Sequence, residues 1–496
     1  LAVLSLLSTK ESRVGWLPLT DSWIDIHWQG VPNMKSLSKN PIFPTPGTHS
    51  SPGSPTSYFL TALLGLLVVT PVLAEARLHR GDAEFQSHDG AITFSSDFPG
   101  GRMSQCTQIS DNTFAITIAP ESDPINDSAW YAFRIQSAQP QTIRVLLHYV
   151  GGSHRYEPKT SRDGETWVPA SELLASTSNS LQDVELQIPV DSKPLWIAGQ
   201  ELLSTDEVSQ WASRLTKLPH VERKSVGRSV QGRSVDELTI TQATQPDYVY
   251  IIARQHPPEV TGAIGMMHFV DTLAGSSELA EQFRKRFATL VVPTVNPDGV
   301  HHGHWRCNAN GVDLNRDWSH FTQPESRAIR DRLLECRRAG EDRLCLFVDF
   351  HSTYDDVFYI PAPNDRIFPA GFTQQWFSSI QARFPGYNVS VDANHNAHRS
   401  TSKAWVDRTL GVTAVTYEFG DETDRETIKS VANGAAEEMM RLLLDLPQNK
   451  AILLAESNKP STNPAINQPS GKKPQVIEPE IQLVSGVEDG EVLELR

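Results

Sequence analysis

The sequence predicts an α/β protein: a mixed, mainly parallel sheet flanked by helices, preceded by a small antiparallel β-sandwich. Three observations predict it. Between about 203 and 446, β-branched and aromatic runs alternate with stretches carrying apolar residues at helical spacing. That alternation builds a sheet covered by helices. From 75 to about 202, short alternating segments follow one another with turns between them, the pattern of a sandwich. Finally, buried-strand runs in the second part end next to a His or a Glu, and open α/β sheets place their sites at strand ends.

Taken in order, residues 1–74 are expected to be absent from the mature protein. Residues 1–33 show no sustained periodicity, and the expected start is Met34. The apolar run Tyr58–Ala74 is too short, and too broken by Pro71, to span a membrane. It reads as a signal-peptide core with cleavage after Ala74. This implies a periplasmic or secreted protein, or a cytoplasmic one if the run is not a signal. The sandwich is assigned to 75–202, with strands around Trp130–Ile135, Ile143–Val150 and Val184–Ile188 and a hairpin turn at Ser161–Trp167. Ser204 and Glu207 have capping-box spacing at the start of an amphipathic helix. The α/β domain, 203–446, includes buried strands at Asp247–Ala253, Leu344–Phe350 and Val412–Tyr417, a helix from Val260 to Leu273, and a last helix from about Asp424 to Leu444. From 447 to 496 the chain is polar and Pro-rich without a core pattern, the composition of a disordered tail.

The 496 residues leave room for two or three domains. A net charge of −15 without a long basic run argues against nucleic-acid binding. No stable membrane association is expected once the signal is removed. The four cysteines, Cys106, Cys307, Cys336 and Cys345, are too few and too scattered for a disulfide framework. Cys336 and Cys345 could pair in an oxidising compartment; buried thiols are the simpler reading.

The chemistry centres on His256, Glu259 and His351. The first two lie in Arg254-Gln-His-Pro-Pro-Glu259, after the Asp247 strand; the third follows Phe347-Val-Asp-Phe350. Two imidazoles and one carboxylate hold Zn²⁺ with a fourth position left open, which marks a catalytic rather than a structural ion. Such an ion activates water and polarises a carbonyl, so the expected reaction is hydrolysis with one zinc per chain.

Between the ligand segments lie Asn296-Pro-Asp-Gly299 and Arg306-Cys-Asn-Ala-Asn-Gly-Val-Asp-Leu-Asn-Arg316, and a late strand ends at Glu418. In this order the motifs resemble the M14 (carboxypeptidase A-like) zinc carboxypeptidases. Val291–Val300 and Arg306–Arg316 are most similar to the cytosolic carboxypeptidase branch, which includes tubulin deglutamylases and bacterial relatives. Val226-Gly-Arg-Ser-Val-Gln-Gly-Arg233 resembles the opening strand-turn of the catalytic domain. The resemblance covers about 85 to 445 and implies a carboxypeptidase-like fold, with a sandwich before the catalytic domain.

It also implies roles. Asn315 and Arg316 would clamp the free C-terminal carboxylate of a peptide substrate, since a guanidinium fork matches a carboxylate. Arg306 would stabilise the oxyanion of the scissile carbonyl. Glu418 would take a proton from the zinc water and pass it to the leaving amine. Lys403, 15 residues before Glu418, would select an acidic terminal side chain; Arg408 is a second candidate. The family's mobile Tyr, about twenty residues before the base, has no counterpart in Asp392–Arg399; His395 and His398 there read as loop residues, with a stand-in role for one of them the alternative. Three alternatives remain: a cell-wall (murein) peptide hydrolase of the same fold, which the export signal favours, an N-acyl-amino-acid deacylase, and an inactive binding module. The retained ligands and Glu418 argue against the last.

Overall fold

The computed structural model describes residues 83–123, 125–338, 343–361, 368–393 and 395–447. The apolar run before Glu75 and the polar tail after Pro447 lie outside the described residues.

The N-terminal part packs two sheets on one core. Its strands are β1 (Glu84–Gln86), β2 (Ile92–Ser95), β3 (Gln105–Ser110), β4 (Thr113–Ile118), β5 (Ala132–Ser137), β6 (Gln141–Tyr149), β7 (Lys159–Ser161), β8 (Val168–Pro169), β9 (Leu174–Thr177), β10 (Asp183–Val190) and β11 (Leu195–Ala198). One sheet runs β1-β2-β5-β11-β7-β8 and the other β3-β4-β6-β10-β9. Neighbours are antiparallel except β4 and β6, which run parallel with Thr113 opposite Arg144. Along β10 the alternate residues Val184, Leu186, Ile188 and Val190 are buried, as a strand with one covered face requires. They meet Phe94, Phe133 and Ile197 of the other sheet. The expected turn joins β7 to β8, with the Asp163 carboxylate accepting the amides of Glu165 and Thr166.

The second part is one eight-stranded sheet. Its strands are β12 (Val221–Arg228), β13 (Ser234–Ile240), β14 (Asp247–Ala253), β15 (Phe287–Val292), β16 (Leu344–Thr353), β17 (Val357–Ile360), β18 (Ser390–Ala393) and β19 (Thr413–Gly420), in the order β12-β13-β15-β14-β16-β19-β17-β18. The four central strands, β15, β14, β16 and β19, are parallel to one another. Around them lie α1 (Thr205–Leu215), α2 (Val260–Ala274), α3 (Glu278–Arg284), α4 (Pro297–His302), α5 (Pro324–Arg338), α6 (Phe372–Arg383), α7 (Ser402–Trp405) and α8 (Arg425–Leu444). Strand β14 explains why the runs are apolar throughout. Val249, Ile251 and Ala253 join the core beneath α2 and α8, while Tyr250 and Ile252 join the core that holds Ile329 and Leu333 of α5. Both faces are buried, so no polar alternation survives. The capping box of α1 is present, with Ser204 Oγ accepting the Glu207 amide and Glu207 Oε2 accepting the Ser204 amide.

Two expected strand ends move. His351 lies inside β16 and Glu418 inside β19, directly opposite each other in register. The physical reason is the length of β14. Its last pair is Ala253 with Phe350, after which Arg254 takes a left-handed conformation (φ 56°) and the chain leaves the sheet. Beyond that point β16 stays paired with β19 alone. The open side of β16 is where the His256–Glu259 loop settles. Cys336 and Cys345 are not joined by a disulfide, and all four cysteines are buried.

The two parts interlock. Trp305, from the loop after α4, is fully buried in the sandwich core and donates its indole N–H to the Trp130 carbonyl at 3.1 Å. The Glu121 carboxylate accepts the amides of Trp305, Arg306 and Cys307 at 2.6–2.9 Å.

Candidate active site

The loop after β14, the C-terminal end of β16 and residues Thr416 and Glu418 of β19 converge on a cavity of about 240 Å³. His256, Glu259, His351, Arg306, Asn315, Arg316, Lys403 and Glu418 all line it. Every residue singled out from the sequence as a ligand, base or clamp is therefore brought together.

The ligand atoms of His256, Glu259 and His351 lie within 4.8 Å of one another. Nδ1 of His256 is 2.6 Å from Glu259 Oε1, and Nδ1 of His351 is 2.6 Å from Glu259 Oε2. Each imidazole turns its other nitrogen to a second carboxylate. His256 Nε2 is 3.0 Å from Asp313, and His351 Nε2 is 2.9 Å from Asp349. A carboxylate behind each ring holds the proton on Nε2 and leaves the Nδ1 lone pair facing inward, as metal-ligating histidines require. The donor set and its outer partners thus fit a zinc ion.

The outer carboxylates are themselves held. Asp313 accepts from Arg306 Nε at 2.6 Å and from the Asn315 amide at 2.9 Å. One carboxylate therefore braces His256, the Arg306 guanidinium and the Asn315 backbone at once. Asp349 accepts from Gln255 at 2.6 Å and from the Ser402 hydroxyl. Burial works against ionisation of Asp313 and Glu259. Nevertheless, His256 and Arg306 hold Asp313 well below the usual carboxylate range. His256 and His351 do the same for Glu259. Burial would lower His351, but Asp349 and Glu259 drive it far up. The centre is thus prepared for positive charge. Neither outer carboxylate was singled out from the sequence. Asp313 sits within a motif already noted, and Asp349 is the one acid in the apolar run Leu344–Phe350. A buried carboxylate in such a run needs a partner, and that was the legible signal.

The cations of the cavity differ in their pairing. Arg306 is tied to Asp313. Arg316 donates to its neighbour's carbonyl, Asn315 O, at 2.8 Å, and makes no ion pair among the described residues. Asn315 Oδ1 accepts the Ser402 amide at 2.9 Å, which fixes its orientation. Lys403 is 4% exposed; its ammonium donates to the His395 carbonyl at 3.1 Å and has no acidic partner within ion-pair distance among the described residues. Burial lowers the Lys403 ammonium to about 8, with Asp407 and Asp392 opposing. Burial pushes the Glu418 carboxyl up to about 8; His351 opposes this and Glu259 adds to it.

Arg408 lies outside the cavity and donates to backbone carbonyls of Ala404 and Arg399. His398 is exposed and does not line the cavity. His395 does, stacked on Tyr359 with ring centres 4.0 Å apart. Tyr354 and Tyr359 also line it; neither was singled out from the sequence. The Asn296–Gly299 motif caps α4 rather than forming a free turn. Asp298 accepts from Ser229, Gln231 and Arg233, all at 2.8 Å, so two separate sequence motifs form one structural unit.

Residues 208–442 match the zinc carboxypeptidase family, peptidase M14. The chain is 23% identical over 300 residues to mouse cytosolic carboxypeptidase 6, covering 54% of each chain. It is 24% identical over 331 residues to human cytosolic carboxypeptidase 2, covering 57% of this chain and 36% of that one. The chain thus spans about half the length, or less, of these curated relatives. Among solved structures, a metallo-carboxypeptidase from Burkholderia cenocepacia superposes with a TM-score of 0.58 at 20% identity, covering 71% of this chain and 98% of the other. A metallo-carboxypeptidase from Pseudomonas aeruginosa, in complex with (2-guanidinoethylmercapto)succinic acid, gives a TM-score of 0.56 at 22% identity, covering 73% and 99%. These structures share the fold. The match to the M14 zinc carboxypeptidase family is thus confined to the 208–442 domain, which carries all three candidate ligands.

The expected periplasmic or secreted location does not stand. Relatives from mouse, Caenorhabditis elegans and human are named cytosolic carboxypeptidases. The argument for a cell-wall substrate rested on export and falls with it.

Proposed function

We propose that this M14 domain is a zinc metallocarboxypeptidase that hydrolyses the C-terminal peptide bond of peptides, with preference for an acidic terminal residue. The observation that carries the reading is the pairing of charges in one cavity. Arg306 is oriented by an acid, whereas Arg316 and Lys403 have none within ion-pair distance among the described residues. A substrate ending in Glu or Asp brings two carboxylates, one for each cation.

His256, Glu259 and His351 would hold one zinc ion, which when bound supplies Lewis acidity to the scissile carbonyl and to water. Arg316 and Asn315 bind the terminal carboxylate and set the scissile bond against the centre. Arg306, its fork fixed by Asp313, donates to the carbonyl oxygen as it gains charge. Glu418 accepts a proton from the attacking water and returns it to the departing amine. Its place on the neighbouring strand, opposite His351 in register, suits a group that meets the attacking water beside the ligand set. Lys403 receives the acidic side chain.

Glu418→Gln keeps the ligands and removes the proton carrier. Zinc content should stay at wild-type level, and turnover should fall by about 10²- to 10⁴-fold. Turnover within a few-fold of wild type would refute the base assignment.

A further inference from the structure

We propose that the β-sandwich completes the substrate site: Arg155, together with Ser128 and Tyr354, forms a subsite for the residue preceding the scissile bond and favours an acidic one. This rests on the carboxypeptidase reading above.

Asn126, Asp127, Ser128 and Arg155 of the sandwich line the same cavity as the ligand set. Arg155 is locked in place. Its Nε donates to Asp421 at 2.8 Å, and its Nη1 donates to Ser128 Oγ at 3.0 Å and to the Asp127 carbonyl at 3.3 Å. The guanidinium stacks 4.7 Å from the ring centre of Tyr354, a tyrosine 64% exposed. Among the described residues Nη2 has no hydrogen-bond partner. One donor of a rigid, pre-oriented fork is therefore left for a ligand, and little entropy is lost in using it.

Depth along the sheet says which part of a substrate it meets. On β19, Thr416 lines the cavity with Lys403, Glu418 follows two residues later opposite His351, and Asp421, which holds Arg155, lies just past the strand end. On β16 the order is the same: His351, then Tyr354 beyond the strand. Arg155 thus sits outward of the reacting centre, while Lys403 and Thr416 sit inward. A chain whose last residue is held inward presents its preceding residue to Arg155. Its pair with Asp421 offsets part of the Arg155 charge, but the charge still reaches the cavity, where it lowers the Glu418 proton affinity.

The test uses zinc-loaded protein and peptides that share one C-terminal Glu and differ only in a penultimate Glu or Gln. Wild type should favour penultimate Glu in kcat/KM by about tenfold, the scale of one charge-assisted hydrogen bond. In Arg155→Gln the ratio should fall to near one. Because it is a ratio, any loss common to both peptides cancels. Asp421→Asn releases Arg155 from its counter-charge and should raise the ratio, which covers the case where Arg155→Gln does not fold. A ratio near one in wild type, or one unchanged in both variants, would overturn the subsite. Chelator-sensitive release that ignores the penultimate residue sinks only this inference. Absence of release from every peptide sinks the carboxypeptidase reading instead.

Discussion

Asp313 and Lys403 show how much of this site depends on single charges. Asp313 touches His256, Arg306 and the Asn315 amide. Asp313→Asn keeps the shape but loses the charge that holds the His256 tautomer and aims Arg306. Zinc affinity, measured by chelator competition, should weaken by about 10- to 100-fold, and kcat/KM should fall further than saturation with zinc restores. Lys403 makes a pH prediction. Its ammonium is brought down to about 8, while a substrate side-chain carboxylate, ordinarily near 4.3, is ionised throughout. Preference for terminal Glu over Gln in kcat/KM should be full below that point and fade as pH rises through it. A preference flat from pH 7 to 9.5, or unchanged in Lys403→Met, would remove Lys403 from specificity. That His256, Glu259, His351, Asn315, Arg316 and Glu418 would meet in one cavity was legible in the sequence because each follows or begins a recognisable run. Asp349 and Asp313 were harder to read. Their role depends on which buried nitrogen they face, and that is a tertiary fact.

At the scale of elements, the site exists because β14 stops one pair short of His351 while β16 and β19 continue. The strand periodicity was plain from apolar runs, but the exact ends were not, since apolar character says nothing about where a neighbour leaves the sheet. Helix α2 is the other determinant. A Cβ at Gly262 would meet the His351 carbonyl oxygen at 2.1 Å, so α2 lies directly on the ligand-bearing strand. Gly262→Ala must push the two apart, at a cost of about 1–3 kcal/mol for overpacking. The expected result in chemical denaturation is a loss of stability in that range, together with weakened zinc binding; unaltered zinc affinity would show that the ligand geometry is not set by this contact.

On the scale of the whole molecule, the sandwich supplies part of the cavity wall. Trp305 is buried in its core, Glu121 grips the backbone that carries Arg306, and Arg155 reaches the cavity. The two layers and their order could be read from the change in periodicity near 203. Their interlock could not, because contacts such as Glu121 with Arg306 join residues 185 positions apart. The proposed activity is the zinc-dependent removal of single residues from a free C-terminus in one cavity. The most direct measurement is mass spectrometry of a peptide panel, with varied C-terminal residues and C-terminally amidated controls, incubated with zinc-loaded protein with and without chelator. The expected result is chelator-sensitive loss of one residue from free C-termini, fastest for Glu or Asp, and none from amidated peptides. Release from amidated peptides, internal cleavage, or no release from any peptide by zinc-loaded protein would contradict it.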